Sequence, residues 1–163
     1  MQKLIPVEDA KALMTEATEW SVWRWLFEKR RVRVAADAAV DALNAQDKKV
    51  KAAWSDDLKK ALRELELENS TNGNARARQK YEQAQEEAKD VPPEIKLAVR
   101  KVMAADDEAE TARLDAEDTF DEAERRLSAG MAREGARKAI ASWELREKSI
   151  RKAEALARKA QAS

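Results

Sequence analysis

The chain has 163 residues, 39% of them charged and 5% aromatic, with three Gly, three Pro, no Cys and no His. That mix points to long helices rather than sheet and to one domain, or at most two. Without Cys or His there can be no disulfide, thiolate or imidazole metal site, or His-dependent triad; 32 bases balanced by 32 acids leave no global pull toward nucleic acid or an anionic membrane.

Residues 1–5 read as a short tail, without the apolar run of a signal peptide. Pro6 suits the start of a helix, where its missing N–H is not needed. Glu8 and Asp9 then sit against the positive end of the helix dipole. From Val7 to Asn69 there is no Pro or Gly. The spacing predicts one helix over 7–69, roughly 95 Å long at 1.5 Å per residue, with a bend or break possible near 31–34, where β-branched residues intervene. Val40, Leu43, Val50, Trp54, Leu58, Ala61 and Leu65 form a narrow seam with Asp47 as its polar intruder. So narrow a stripe needs a partner helix.

The stretch 19–34 stands out. It holds three of the five tryptophans, one of the two phenylalanines and a basic cluster. Trp20, Trp23 and Phe27 make one stripe; Val22, Trp25, Leu26 and Val32 make another. A two-helix hairpin buries only one of them.

Asn69-Ser-Thr-Asn-Gly-Asn74 is the strongest punctuation in the chain, and a turn is predicted over 70–74. Asn69-Ser70-Thr71 also spells a glycosylation sequon, which carries no weight without a secretion signal. A helix over 75–90 with Tyr81 as its one aromatic follows, then a kink at 91–93 from Pro92-Pro93. The next helix, 94–128, has a long seam from Ile95 through Val99, Val102, Ala109, Ala112, Ala116, Phe120, Ala123 and Leu127 to Gly130. Its many alanines allow close approach. Gly130 and Gly135 then suggest a corner at 129–135, before a last helix over 136–160 with Ile140, Trp143 and Ile150 on its stripe.

If the chain reverses at Asn72, residue n lies level with 144 minus n. Val50 then meets Ile95, Leu43 meets Val102, and Trp23 meets Phe120. The cluster Arg24, Lys29, Arg30, Arg31 and Arg33 comes level with Asp115, Glu117 and Asp118. The fold class expected is all-α, a long antiparallel, coiled-coil-like helical hairpin. Its C-terminal helix, either projecting or folded back, would in the second case lay Trp143 and Ile150 over the Trp-rich end as a three-helix bundle. In general form such a hairpin with an amphipathic N-terminal region resembles the bacterial membrane-stress and membrane-remodelling coiled coils. That likeness covers the helical pattern and assigns no residue a role.

Function is less legible. Trp20, Trp23, Trp25, Leu26, Phe27, Phe120 and Trp143 are the candidate helix hub or interaction residues, with Lys29, Arg30, Arg31 and Arg33 as candidate anion contacts. Buried, the aromatics form the place where the helices meet. Exposed, they offer a protein docking patch, a membrane-surface anchor or a stacking platform. From Ala104 to Glu124 ten acids face one base, Arg113. A straight helix splays its carboxylates, so no metal site is expected there. From Arg125 onward eleven bases face four acids, which makes weak nucleic-acid binding an alternative to a solvated helical face. No phosphate loop, nucleophile elbow or His base is present, so neither an enzyme nor a cofactor or small-molecule substrate is expected. The expectation is a cytoplasmic, non-enzymatic structural or protein-interaction module. It associates with itself or with another helical protein; the alternative is a peripheral membrane-surface protein using 19–34.

Overall fold

The computed structural model describes residues 6–70 and 73–162. Among these the chain is all-helical, with six helices and no strand: α1 (Val7–Ala17), α2 (Val22–Ala52), α3 (Asp56–Glu68), α4 (Ala75–Glu87), α5 (Pro93–Arg126) and α6 (Ala129–Ala162). The tail expected at residues 1–5 and two residues of the expected turn at 70–74, Thr71 and Asn72, lie outside the described residues.

The helix expected over 7–69 is three helices. After α1 the chain turns through Thr18–Ser21, and the Ser21 hydroxyl accepts from the Arg24 N–H at 3.3 Å, capping α2. After α2 it turns again, and Ser55 accepts from the Leu58 N–H at 3.4 Å to open α3, followed at once by Asp56 and Asp57 against the helix dipole. No break occurs near 31–34: α2 runs through it, because Val32 is buried and its packing outweighs the small helix penalty of β-branching. Asn74 caps α4 by accepting from Arg76 N–H at 3.0 Å, and α4 ends at Glu87 rather than at 90. Pro93 stands at the first position of α5.

The corner expected at 129–135 lies earlier. Leu127 adopts φ 50°, and the Ser128 N–H reaches back to the Ala123 carbonyl at 3.1 Å, the six-to-one bond of a Schellman end. Ser128 then caps α6, accepting from Met131 N–H at 3.2 Å. Both glycines of the supposed corner are helical. Leu127, expected on the buried seam, is exposed because it follows the last helical turn and leaves the stripe.

The chain divides into two compact units. One takes the chain up to Lys48 together with Ala105–Ile150; the other takes Lys49–Ala104 and the chain from Arg151. In the first, α1, α2, α5 and α6 bury Met14, Trp25, Val32, Leu43, Phe120 and Trp143 among many alanines. Gly135 of α6 lies so close to Phe120 that a Cβ there would stand 2.8 Å from the ring. Lys11 of α1 meets Glu147 of α6 at 2.9 Å. In the second unit Trp54, Leu58, Ala61, Leu65, Ala88, Val91, Val99, Val102 and Ala153 form one core, with Val50 and Ile95 packed against it. The Trp54 indole donates to the Ala153 carbonyl at 2.9 Å. Lys96 pairs with Glu64 at 3.0 Å and Arg63 with Glu87 at 3.6 Å.

Candidate interaction face on α2

The cap at Ser21 sets the rotation of α2 and thereby sorts its aromatics. Trp25 and Val32 point inward. Trp25 stacks on Phe120 of α5, ring centroids 5.4 Å apart and planes 7° from parallel. Trp20, in the turn before α2, is buried too. Neither indole N–H has an acceptor among the described residues. Trp23 and Phe27 point outward, 71% and 87% exposed, with Val34 at 45%. These three and Arg30 share one stripe, at spacings of four, three and four.

The expected partner of Phe120 was Trp23; it is Trp25. Two residues along a helix are 200° apart, so this shift exchanges the buried aromatic for the exposed one. Leu26 is half-buried between the two faces. Trp143 is buried, but beside Val40, Leu43 and Ala109 rather than over Trp20 to Phe27. Of the seven residues grouped as a hub, the structure therefore brings Trp25 and Phe120 into contact and places Trp23 and Phe27 in solvent.

The cations are also distributed differently from the expected pairing with Asp115, Glu117 and Asp118. Arg33 lies 5.3 Å from the Phe120 ring centre and bonds Asp121 at 2.5 Å and Glu124 at 3.4 Å. Arg24 sits 4.7 Å over the Trp20 ring and binds Glu16 at 2.5 Å and Glu28 at 2.7 Å. Arg31 adds a bond to Glu28 at 3.1 Å. The hydrogen bond from Arg24 above all holds the Glu28 carboxyl below its ordinary range, and Glu28 in turn raises Arg24. Asp115 is taken by Lys138 at 3.2 Å and Glu117 by Arg113 at 3.0 Å. Lys29 and Arg30 have no ion-pair partner among the described residues. Beside the exposed stripe α1 forms a wall: Asp9 and Leu13 face Phe27, Arg30, Arg31, Val34 and Ala35 across a groove of about 520 Å³.

A second concavity, of about 210 Å³, is lined by Val40, Leu43, Ala109 and Trp143 and by a charged rim. Most of its charges are paired. Arg146 donates to Asp106 at 2.7 Å, Asp47 at 3.1 Å and Asn44 at 3.3 Å, which accounts for the polar intruder on the α2 seam. Arg113 grips Glu110 at 2.6 Å, and that bond holds the Glu110 carboxyl below its ordinary range. Among the described residues no cluster of acidic side chains could hold a metal ion, and no helix is long and apolar enough to cross a membrane. No protein-family model, curated protein or solved structure matches the chain.

Proposed function

We propose that this chain is a non-catalytic helical interaction module that works by self-association. In this reading α2 and α5 run antiparallel as the arms of a hairpin, and α6 folds back on them to complete a three-helix bundle. The Trp25–Phe120 stack and the Arg33–Asp121 pair near the C-terminal end of α5, and the Arg146 network joining Asp47 to Asp106 nearer its N-terminal end, support that arrangement.

One observation carries the functional reading. The chain buries Trp20, Trp25, Trp54 and Trp143, yet leaves Trp23 and Phe27 in water on a single stripe of a helix whose other side is core. Large aromatics side by side in solvent lose the favourable burial that the other four obtain, and such patches mark binding surfaces. Multi-angle light scattering across a dilution series tests this. A mass that falls from dimer toward monomer on dilution, with Trp fluorescence shifting red as Trp23 is uncovered, supports the proposal; a monomer mass at every concentration refutes it.

A further inference from the structure

The exposed stripe of α2 does not end at Val34. Positions 23, 27, 30, 34, 37 and 41 alternate by four and three residues, the spacing of one coiled-coil seam. Its first half is large and basic: Trp23, Phe27 and Arg30. Its second half is small and acidic: Asp37 and Asp41, with Ala38 and Ala45 beside them. Both aspartates are exposed, and like Arg30 they have no ion-pair partner among the described residues. Their neighbours Arg24, Arg31 and Arg33 are all paired.

From this we infer that the stripe is a self-complementary interface on which a second copy of the chain packs antiparallel, about a two-fold axis at Val34. The inference rests on the self-association proposed above and names its surface. A two-fold reversal at Val34 sets residue n opposite 68 minus n, because 34 plus 34 is 68. Arg30 then falls opposite the partner's Ala38. It lies about 1.5 Å along the axis from the level of the partner's Asp37 and about 4.5 Å from that of the partner's Asp41, within reach of both carboxylates. Trp23 falls opposite the partner's Ala45, and Phe27 falls opposite the partner's Asp41, where the partner's Ala38 and Ala45, one turn to either side, leave room for its ring. Trp23 meets a small side chain, Arg30 meets acidic ones, and the two-fold repeats each contact once, as an isologous interface requires. An anionic bilayer fits the face less well. It would attract Arg30 but repel Asp37 and Asp41, which stand on the same stripe about two and three turns further on.

The test uses the full-length chain in analytical ultracentrifugation from about 1 to 100 µM, the range in which a micromolar dimer dissociates. Phe27→Asp should weaken the dimer about 100-fold, as loss of a central anchor does. Arg30→Glu, which sets like charges opposite one another, should weaken it about tenfold, and so should the pair Asp37→Arg with Asp41→Arg. The triple variant carrying Arg30→Glu, Asp37→Arg and Asp41→Arg should return to within about threefold of the wild type, because the charges are exchanged rather than lost. All four positions are exposed, and unchanged helicity by circular dichroism will confirm that the variants fold. A dimer indifferent to Phe27→Asp and Arg30→Glu overturns this interface and leaves self-association standing. A wild-type chain that stays monomeric overturns both. A monomer whose Trp fluorescence shifts blue on phosphatidylserine vesicles assigns the face to lipid and overturns the second copy.

Discussion

Replacing Gly135 by Ala tests what that glycine does. In an exposed helix Gly→Ala stabilises by about 1 kcal/mol, because alanine has less backbone freedom to lose. At Gly135 the new Cβ would stand 2.8 Å from Cδ1, 2.9 Å from Cε1 and 3.1 Å from Cγ of Phe120, inside any normal carbon contact. The ring cannot retreat freely, since it is buried, stacked on Trp25 and held near Arg33. Overpacking of this kind costs about 1–3 kcal/mol, and a ring that turns away also forfeits part of a stack worth about 0.5–1.5 kcal/mol. The net expectation is a loss of about 1–2 kcal/mol, which lowers the melting temperature by roughly 2–8 °C in a chain of this size. Gly130→Ala is the internal control. It sits in the same helix, exposed, with only the Ser128 hydroxyl near its Cβ position, at 3.8 Å. That variant should gain up to about 1 kcal/mol. Both are measured by urea denaturation followed through Trp fluorescence. If Gly135→Ala is as stable as the wild type, Gly135 is not a close-approach residue and the α5–α6 packing drawn from it is wrong.

Four further outcomes are expected. Leu127→Gly should raise stability by about 1 kcal/mol in the same denaturation assay, since φ 50° costs an L-residue about that much and the exposed leucine gives up little burial. Trp54→Phe should lose about 1–2 kcal/mol by removing the buried indole bond to Ala153. Arg146→Met should lose about 3 kcal/mol, because it strips the shared cation from the mostly buried Asp47 and Asp106. The Glu110 carboxyl is held low by Arg113, so its contribution is complete above the ordinary carboxylate range and is lost as pH falls through its lower folded value. Glu110→Gln should therefore flatten the acid side of the stability–pH curve and lower stability at neutral pH, both read from urea midpoints.

How much of this was legible depends on which signal each element carries. The seams were: Leu43, Trp54, Leu58, Ala61 and Leu65 on one side, and Val99, Val102, Ala109, Ala116 and Phe120 on the other, are buried as their spacing requires. The breaks were not. Each of the three helix starts that differ, those of α2, α3 and α6, has a serine cap, at Ser21, Ser55 and Ser128. A stretch rich in helix formers and free of Gly and Pro carries a stronger helical signal than single serines can interrupt, although Ser55-Asp56-Asp57 is an N-terminal signal in its own right. Gly130 and Gly135 misled for the converse reason. Glycine is permissive, so it marks a possible corner as readily as a close contact, and only the position of Phe120 decides. The Schellman end at Leu127 had no sequence signal, because its left-handed residue is not glycine.

The division of the Trp-rich stretch follows from one of those missed caps. Had α1 run unbroken into α2, the rotation of residues 20–34 would be fixed by the helix before it, and all their apolar side chains would compete for one inward stripe. The turn at Thr18–Ser21 releases that constraint and lets α2 start afresh, with Trp25 rather than Trp23 on Phe120. Once Trp25 faces inward, helical geometry leaves Trp23, Phe27, Arg30 and Val34 no choice but to share the outer side. The two stripes are thus not rival readings of one surface. Trp25 with Phe120 is where the helices meet, and Trp23 with Phe27 is the face left over. The presence of large aromatics there, where Lys or Glu would serve solubility better, is the observation on which the proposed association rests.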